Sequence, residues 1–374
     1  MAFLNVMVTA LTLIAIIFNL SLLNGFQMQA TRNMVSTDVA SGHYVVPGFD
    51  LLTPAEWENY SYIVPESLQR LSHDDKAEVL IQQGQIFPNN RLYPIQLRGI
   101  EMEQTLLNLS LSALKAQSEE VGDAIPVILG VKMAEKAHLR KGDSIVMKWR
   151  DRFGAVDARD AKVVDVVHFF NPRIDTGVVW LRLDHLREMT RRNNEVSWVA
   201  VKEYRGPAAR MEFKTKEDLM GDLLTLLKND RRNSKVIWVI LIFLAGISIF
   251  NTQILNVFKR QKEVGTFMAL GMSSVQIVRM FTLEGSMAAF AALVAAVVIG
   301  VPFFTWYQSV GFDVSHLKET TIPVHETIYL DIRPVEVLIS SLMIILIMIV
   351  VAWLPARKIS RLDPTLALRG RAIA

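Results

Sequence analysis

Hydrophobic positions in this chain fall into four long runs. Residues 3–23, 236–255, 281–307 and 335–354 are almost free of charge, whereas 27–233 mixes charged and apolar positions throughout. A helix needs about 20 mainly apolar residues to cross a bilayer core, so each run is predicted to span the membrane. The first is not a typical cleaved leader: no basic segment precedes it, and it exceeds the roughly 7–15 apolar residues of such leaders. The expected fold is an α-helical membrane protein with four transmembrane helices and a large mixed α/β extracytoplasmic domain between helices 1 and 2. Its expected divisions are a helix over 1–26, the domain over 27–233, a helix over 234–257, a loop over 258–280, a helix over 281–307, an outer loop over 308–334, a helix over 335–354 and a tail over 355–374.

Within the domain, alternation over 143–149 and 161–167 predicts strands, and 178–183 reads as another. Helices are expected over 65–71, 102–115, 132–137 and 183–191, with Thr53-Pro54-Ala55-Glu56 resembling a helix start. Residues 216–228 place Leu219, Leu223, Leu224, Leu226 and Leu227 at helical spacing. That face suits either a stalk leading into the second span or a helix packed on its own domain.

Charge sets the sidedness. Lys259, Arg260, Lys262 and Arg279 lie between the second and third runs, and Arg357, Lys358, Arg361, Arg369 and Arg371 follow the fourth. Basic residues near span ends stay in the cytoplasm. Both termini are therefore expected inside, in a multi-pass membrane protein with the large domain outside. The 51% of hydrophobic residues is only a little above the soluble norm, so the uneven placement carries the argument. With no cysteine there is no disulfide or thiolate chemistry, and a net charge of +3 is too weak to argue for nucleic acid.

Catalytic signatures are missing from the sequence. It holds no Gly-x-x-x-x-Gly-Lys-Ser/Thr loop, no His-Glu-x-x-His and no Gly-x-Ser-x-Gly. The seven histidines are scattered, and His316, His325 and Glu326 read as a solvated loop. Neither an enzymatic site nor a bound cofactor or metal is expected on this chain. Glu284 is the one carboxylate well inside a predicted span. An acid there is costly unless paired, and a structural role is expected, through the interface, Arg279 or another cytoplasmic base.

The stretch Phe258-Lys-Arg-Gln-Lys-Glu-Val-Gly-Thr-Phe-Met-Ala-Leu-Gly-Met-Ser273, continuing through Gln276-Ile277 to Glu284-Gly285, resembles the cytoplasmic signature of FtsX-like permeases. Pro355-Ala-Arg-Lys-Ile-Ser-Arg-Leu-Asp-Pro-Thr-Leu-Ala-Leu-Arg369 resembles that family's closing motif. Asn24-Gly25-Phe26-Gln27, Ser41-Gly42-His43-Tyr44, Leu97-Arg98-Gly99-Ile100, Leu129-Gly130, Leu139 with Gly142-Asp143, and Asp175 with Gly177 resemble, in order, lipoprotein-releasing permeases of the Lol type. Members usually carry a basic amphipathic segment before the first span, whereas this sequence begins almost inside it.

The resemblance implies a half-transporter: two four-helix permeases, identical or paralogous, with a dimer of a separate ABC ATPase that binds ATP and Mg. The coupling segment would be Arg260, Lys262, Glu263, Gly265, Ala269, Leu270 and Gly271. A substrate cavity would draw on Phe18, Leu22, Phe26, Ile247, Phe250 and Ile254, and a docking patch for a periplasmic carrier on Phe169, Phe170 and Arg173. The implied activity is extraction of lipoprotein cargo from the outer leaflet of a bacterial inner (plasma) membrane toward that carrier, with the large domain in the periplasm. Two alternatives stay open: a MacB-type mechanotransmission efflux permease and an FtsX-type regulator of a periplasmic hydrolase.

Overall fold

The computed structural model describes residues 2–49, 57, 59–115, 122–169, 171–313 and 327–359. The expected helix start at Thr53-Pro54-Ala55-Glu56 lies outside them. In chain order the elements are α1 (Ala2–Met34), β1 (Gly42–Val45), β2 (Tyr62–Ile63), α2 (Glu66–Gln69), β3 (Lys76–Ile86), β4 (Tyr93–Ile100), β5 (Ile125–Gly130), α3 (Val131–Ala137), β6 (Ser144–Arg150), β7 (Val156–Val167), α4 (Pro172–Asp175), β8 (Val178–Arg182), α5 (Leu183–Thr190), β9 (Glu195–Val196), β10 (Trp198–Val201) and β11 (Glu212–Thr215). They continue with α6 (Lys216–Leu219), α7 (Gly221–Lys259), α8 (Gln261–Ala269), α9 (Ser274–Val310), β12 (Phe312–Asp313), β13 (Thr327–Ile328) and α10 (Pro334–Ile359).

The chain divides into two compact units. One is built mostly from Gln29–Thr225; the other holds Met1–Met28, Leu226–His316 and Glu326–Ala374.

The first unit is a β-barrel rather than a generic α/β domain. Strands pair in the order β3-β4-β8-β5-β7-β6, and β6 pairs back onto β3, closing six strands. β3 is long enough to serve two partners on one edge. Lys76–Val79 pair with β10, while Gly84–Ile86 pair with β6. The extension β10-β1-β11 therefore leaves the barrel at the start of β3. Side-chain alternation explains the packing. Leu80, Leu97, Val127, Leu129, Ile145, Met147, Trp149, Ala161, Val163, Val179 and Leu181 come from all six barrel strands and form one buried interior. The intervening Val79, Ile81, Ile128, Val178 and Trp180 belong to a second core on the outside face. β8 is thus buried on both faces, which is why it reads as a near-continuous apolar run, whereas β6 alternates cleanly.

The helix expected over 102–115 does not form. Leu107, Leu111 and Leu114 are buried in the outer core, and their spacing imitates a helix face. They are carried instead by turns and a short 3₁₀ segment, Ser112–Leu114. The Gln104 side chain accepts from the Leu107 N–H, and Asn108 N–H donates to Ser36 O, so the backbone is satisfied outside a helix.

Glu78 ties this unit together electrostatically. Its carboxylate accepts from Lys76 at 2.7 Å and Arg187 at 3.0 Å. Burial pushes the carboxyl up, but the Lys76 and Arg187 hydrogen bonds outweigh it and hold the group below the usual carboxylate range. A folded-state pKa below the unfolded one stabilises fully above about pH 4.3 and fades as pH falls through the folded value. Glu78→Gln is therefore expected to lower the thermal midpoint near neutral pH. The deficit should shrink as pH drops below about 4, as followed by tryptophan fluorescence during heating; a pH-independent deficit would exclude this account.

In the membrane unit the expected count of spans is corrected. Among the described residues, three helices are long and apolar enough to cross a bilayer: Val6–Val39, Ser274–Val310 and Pro334–Arg357. The four-span arrangement, with the domain strictly between helices 1 and 2, is not what the fold provides. The expected second span, 234–257, continues unbroken from a charged stretch holding Asp222, Lys228, Asp230, Arg231, Arg232 and Lys235 within α7. The helix is therefore polar at one end and apolar at the other. Its Ile242 nonetheless joins Ala10, Leu13, Ile14, Ile16, Ala289, Ala296, Ile344 and Met348 in one core. Gly285, Ala289, Ala292, Ala296 and Gly300 make a buried small-residue stripe on α9. Such stripes let helix backbones approach closely where lipid supplies no hydrophobic drive between helices.

The expected stalk over 216–228 is two helices. Thr215 and Asp218 form a capping box that starts α6. Met220 leaves the helical conformation before α7 begins at Gly221.

Candidate functional site

Between α7 and α9 the chain makes a helical elbow. Arg260 interrupts the first helix with φ −96° and ψ 14°, and α8 follows. Leu270 and Gly271 end α8, with Gly271 at φ +96°, a conformation that favours glycine. Ser273 then starts α9 through a reciprocal capping box with Gln276.

The Arg260 side chain pins the elbow. Its Nε donates to Glu263 Oε2 at 2.7 Å and its Nη1 to Glu284 Oε2 at 2.7 Å. The guanidinium also lies 5.2 Å from the centre of the Phe281 ring. Glu284 is therefore paired with the base at the α7–α8 junction. Beneath α8, Val264, Ile277, Phe281 and Ala356 form a small buried core, with Met268 and Met272 packed against it.

These contacts sort the residues expected to couple into two groups. Arg260 and the buried Gly265 belong to the support of the elbow. Lys262, Glu263, Ala269, Leu270 and Gly271 are exposed. Leu270 is 78% exposed, and Val275, which sequence reasoning missed, is 77% exposed. The packing residues Val264, Ile277 and Phe281 were missed as well; their i, i+4 spacing in Ile277 and Phe281 was the available signal.

The other nominated groups are not gathered in one place. The Phe18 ring packs against Phe303 at 5.7 Å and Tyr307 at 5.2 Å, so α9 already engages it. Leu22, Phe26, Phe250 and Ile254 are half-buried, and Ile247 is exposed. Phe169 is buried against Trp180, with ring centres 5.8 Å apart. It is core, not an accessible face. Phe170 lies outside the described residues. Arg173 is half-buried and donates from Nη1 to Leu219 O at 3.3 Å.

A polar clasp was not anticipated. Asn24 is buried, donates from Nδ2 to Glu336 Oε2 at 2.5 Å and accepts from Arg231 Nη2 at 3.4 Å. Arg231 also reaches Glu336 Oε1 at 3.3 Å, so α1, α7 and α10 meet at one ion pair. Next to it, Gln27 donates from Nε2 to Leu227 O at 3.1 Å. A polar residue, an arginine and a glutamate at the ends of three apolar runs were its only trace in the sequence.

Known proteins match this arrangement in part. Residues 235–364 match the FtsX-like permease C-terminal family. No curated protein matches the chain. Among solved structures, the chain is similar to the periplasmic region of MacB from Actinobacillus actinomycetemcomitans, at 10% identity and a TM-score of 0.32, covering 49% of this chain and 92% of that one. It is also similar to the extracellular domain of the noncanonic ABC-type transporter YknZ from Gram-positive bacteria, at 14% identity and a TM-score of 0.27, covering 44% of this chain and 83% of that one. Likenesses this faint carry no weight. The family match spans the elbow, α9 and α10 together, so this part of the chain is similar to the C-terminal region of FtsX-like permeases, in a chain with three described helices long and apolar enough to cross a membrane.

Proposed function

We propose that this subunit passes the motion of a separate ABC ATPase dimer, which binds ATP and Mg, through the α8 elbow, and that the work extracts lipoproteins from the outer leaflet of the inner membrane toward a periplasmic carrier. The single observation that carries this reading is the elbow. Arg260 and the core under α8 fix its base to α9 and α10, while Leu270 and its neighbours project unpaired apolar surface. A lever needs both a rigid attachment and a free contact face. The basic residues Lys259, Arg260, Lys262, Arg279 and Arg357 favour a cytoplasmic position for the elbow and for the end of α10. A second permease, identical or paralogous, would complete the assembly.

Extraction is the step that needs work, since acyl chains favour an apolar environment by about 0.8 kcal/mol per buried CH₂. Leu270→Glu is expected to lower ATP hydrolysis by the purified permease–ATPase complex by roughly tenfold, the usual cost of losing an apolar anchor from an interface. The thermal midpoint of the permease should not move, because the side chain is exposed. Unchanged hydrolysis would remove the coupling role. Hydrolysis that depends on Leu270 but releases no triacylated lipoprotein from proteoliposomes would favour the MacB-type or FtsX-type alternatives.

A further inference from the structure

Two short motifs that the elbow does not use meet in the barrel unit: Leu129-Gly130 at the end of β5 and Asp175 at the end of α4. Asp175 is 0% exposed and lies flat on Gly130. A Cβ added there would fall 2.7 Å from Asp175 Cα and closer still to its Oδ1 and carbonyl oxygen. Only one side of the carboxyl is satisfied. Oδ2 accepts from Lys132 N–H at 3.3 Å, whereas Oδ1 is buried with no hydrogen-bond partner among the described residues. An ionised carboxylate wants donors at both oxygens and is costly to bury without a cation bonded to it. The charged groups facing it are Lys132 on α3 and His168 before α4, and neither bonds Oδ1. Burial pushes the carboxyl up, and the Lys132 and Phe169 N–H groups and the charges of His168 and Lys132 do not cancel that push.

The turn that carries Asp175 holds on at two places. Ile174 sits in the outer core, and its carbonyl accepts from Trp180 Nε1 at 3.3 Å. Arg173 reaches the other way, donating to Leu219 O at 3.3 Å and pairing with Asp222 at 3.5 Å, at the α6–α7 corner. Asn171 opens the turn, its Oδ1 accepting from Arg173 N–H at 3.1 Å, while its Nδ2 is buried with no partner among the described residues. A short segment with a donor and an acceptor both buried and unpaired is held less firmly than the strands beneath it.

We propose that Asp175 is a proton-operated latch on this turn: protonated, it seats α4 on Gly130 and holds the α6–α7 corner, and ionised, it loosens both. A folded-state pKa above the unfolded one adds stability that is fully present below the unfolded value of about 3.9 and is lost as pH rises through the folded value. Mild acid therefore closes the latch. The inference concerns the barrel unit alone and does not depend on what the elbow docks.

Hydrogen–deuterium exchange of the full chain in detergent, read by mass spectrometry and corrected for intrinsic exchange rates, tests it. Between about pH 4.5 and 7.5, amides of 171–176 and of the first turn of α3 should lose protection several-fold, while those of β3 and β4 keep theirs. Asp175→Asn keeps the shape but cannot ionise, and its protection should not vary with pH. His168→Gln should retain the pH dependence, which removes the imidazole as its source. The proposal is overturned by a flat profile in the unsubstituted chain, by a pH dependence that survives in Asp175→Asn, or by one that vanishes in His168→Gln. The first and third of these decide the matter even where Asp175→Asn does not fold.

Discussion

Asp38→Ala is expected to destabilise the barrel unit by about 3–5 kcal/mol, because it strands a charge that has nowhere else to go. Arg98 Nη1 donates to Asp38 Oδ1 at 2.9 Å, with the arginine side chain 1% and the aspartate 8% exposed. The guanidinium lies 5.6 Å from the Trp180 ring centre and 5.4 Å from that of Trp198. His43 stacks on Trp198 at 5.4 Å, and its Nε2 is 2.8 Å from the Asp38 carbonyl oxygen. Burial pushes the His43 imidazole down, against the opposing pull of Asp38, so the ring is neutral near pH 7 and Nε2 donates to that carbonyl. The site thus has one positive and one negative charge. Removing the aspartate leaves the arginine between two indoles, whereas removing both charges removes both desolvation penalties. Asp38→Ala combined with Arg98→Met should therefore unfold less readily than Asp38→Ala alone. Chemical denaturation followed by tryptophan fluorescence distinguishes these cases; a double variant less stable than the single one would contradict the buried-charge account.

Gly25→Val is expected to cost more than the usual 1–3 kcal/mol or so of an overpacked core and to prevent stable assembly of the membrane unit. A Cβ at Gly25 would lie 1.9 Å from Tyr329 O and 3.0 Å from Tyr329 C, both backbone atoms that cannot rotate away. The same crossing is held by Asp331 N–H donating to Ser21 O at 3.0 Å. Displacing it would disturb Asn24 and its bond to Glu336 one residue away. Even Gly25→Ala should show the effect. Gly221→Ala is the control, since nothing lies within 4 Å of a Cβ there. Gel filtration of detergent-solubilised protein, with limited proteolysis, reads the outcome; a monodisperse, protease-resistant Gly25→Val would show that the crossing can move.

Local order was legible from the chain alone. The alternation of Ile145, Met147 and Trp149 marks β6, and the apolar run at 178–182 marks a strand buried on both faces. The Ser273–Gln276 box and Gly271 mark the elbow, because helix starts and positive φ values are written in adjacent residues. Where spacing and burial diverged, the reading failed. Leu107, Leu111 and Leu114 keep a helical period without a helix, and α7 merges a charged segment with an apolar one. Phe169 was nominated for a docking patch through the family resemblance, yet it is buried against Trp180.

The sequence by itself determined which segments are apolar, where the basic elbow lies and which family signature it bears, since these depend on residues within a few turns of one another. Tertiary structure alone decided the rest. Barrel closure pairs Gly84–Ile86 with Met147–Trp149, the Asp38–Arg98 pair joins residues 60 apart, and the Asn24–Glu336 bond joins residues 312 apart. No local pattern encodes such meetings. They form because a buried charge or strand edge must find a partner, and only the folded chain determines which one is within reach.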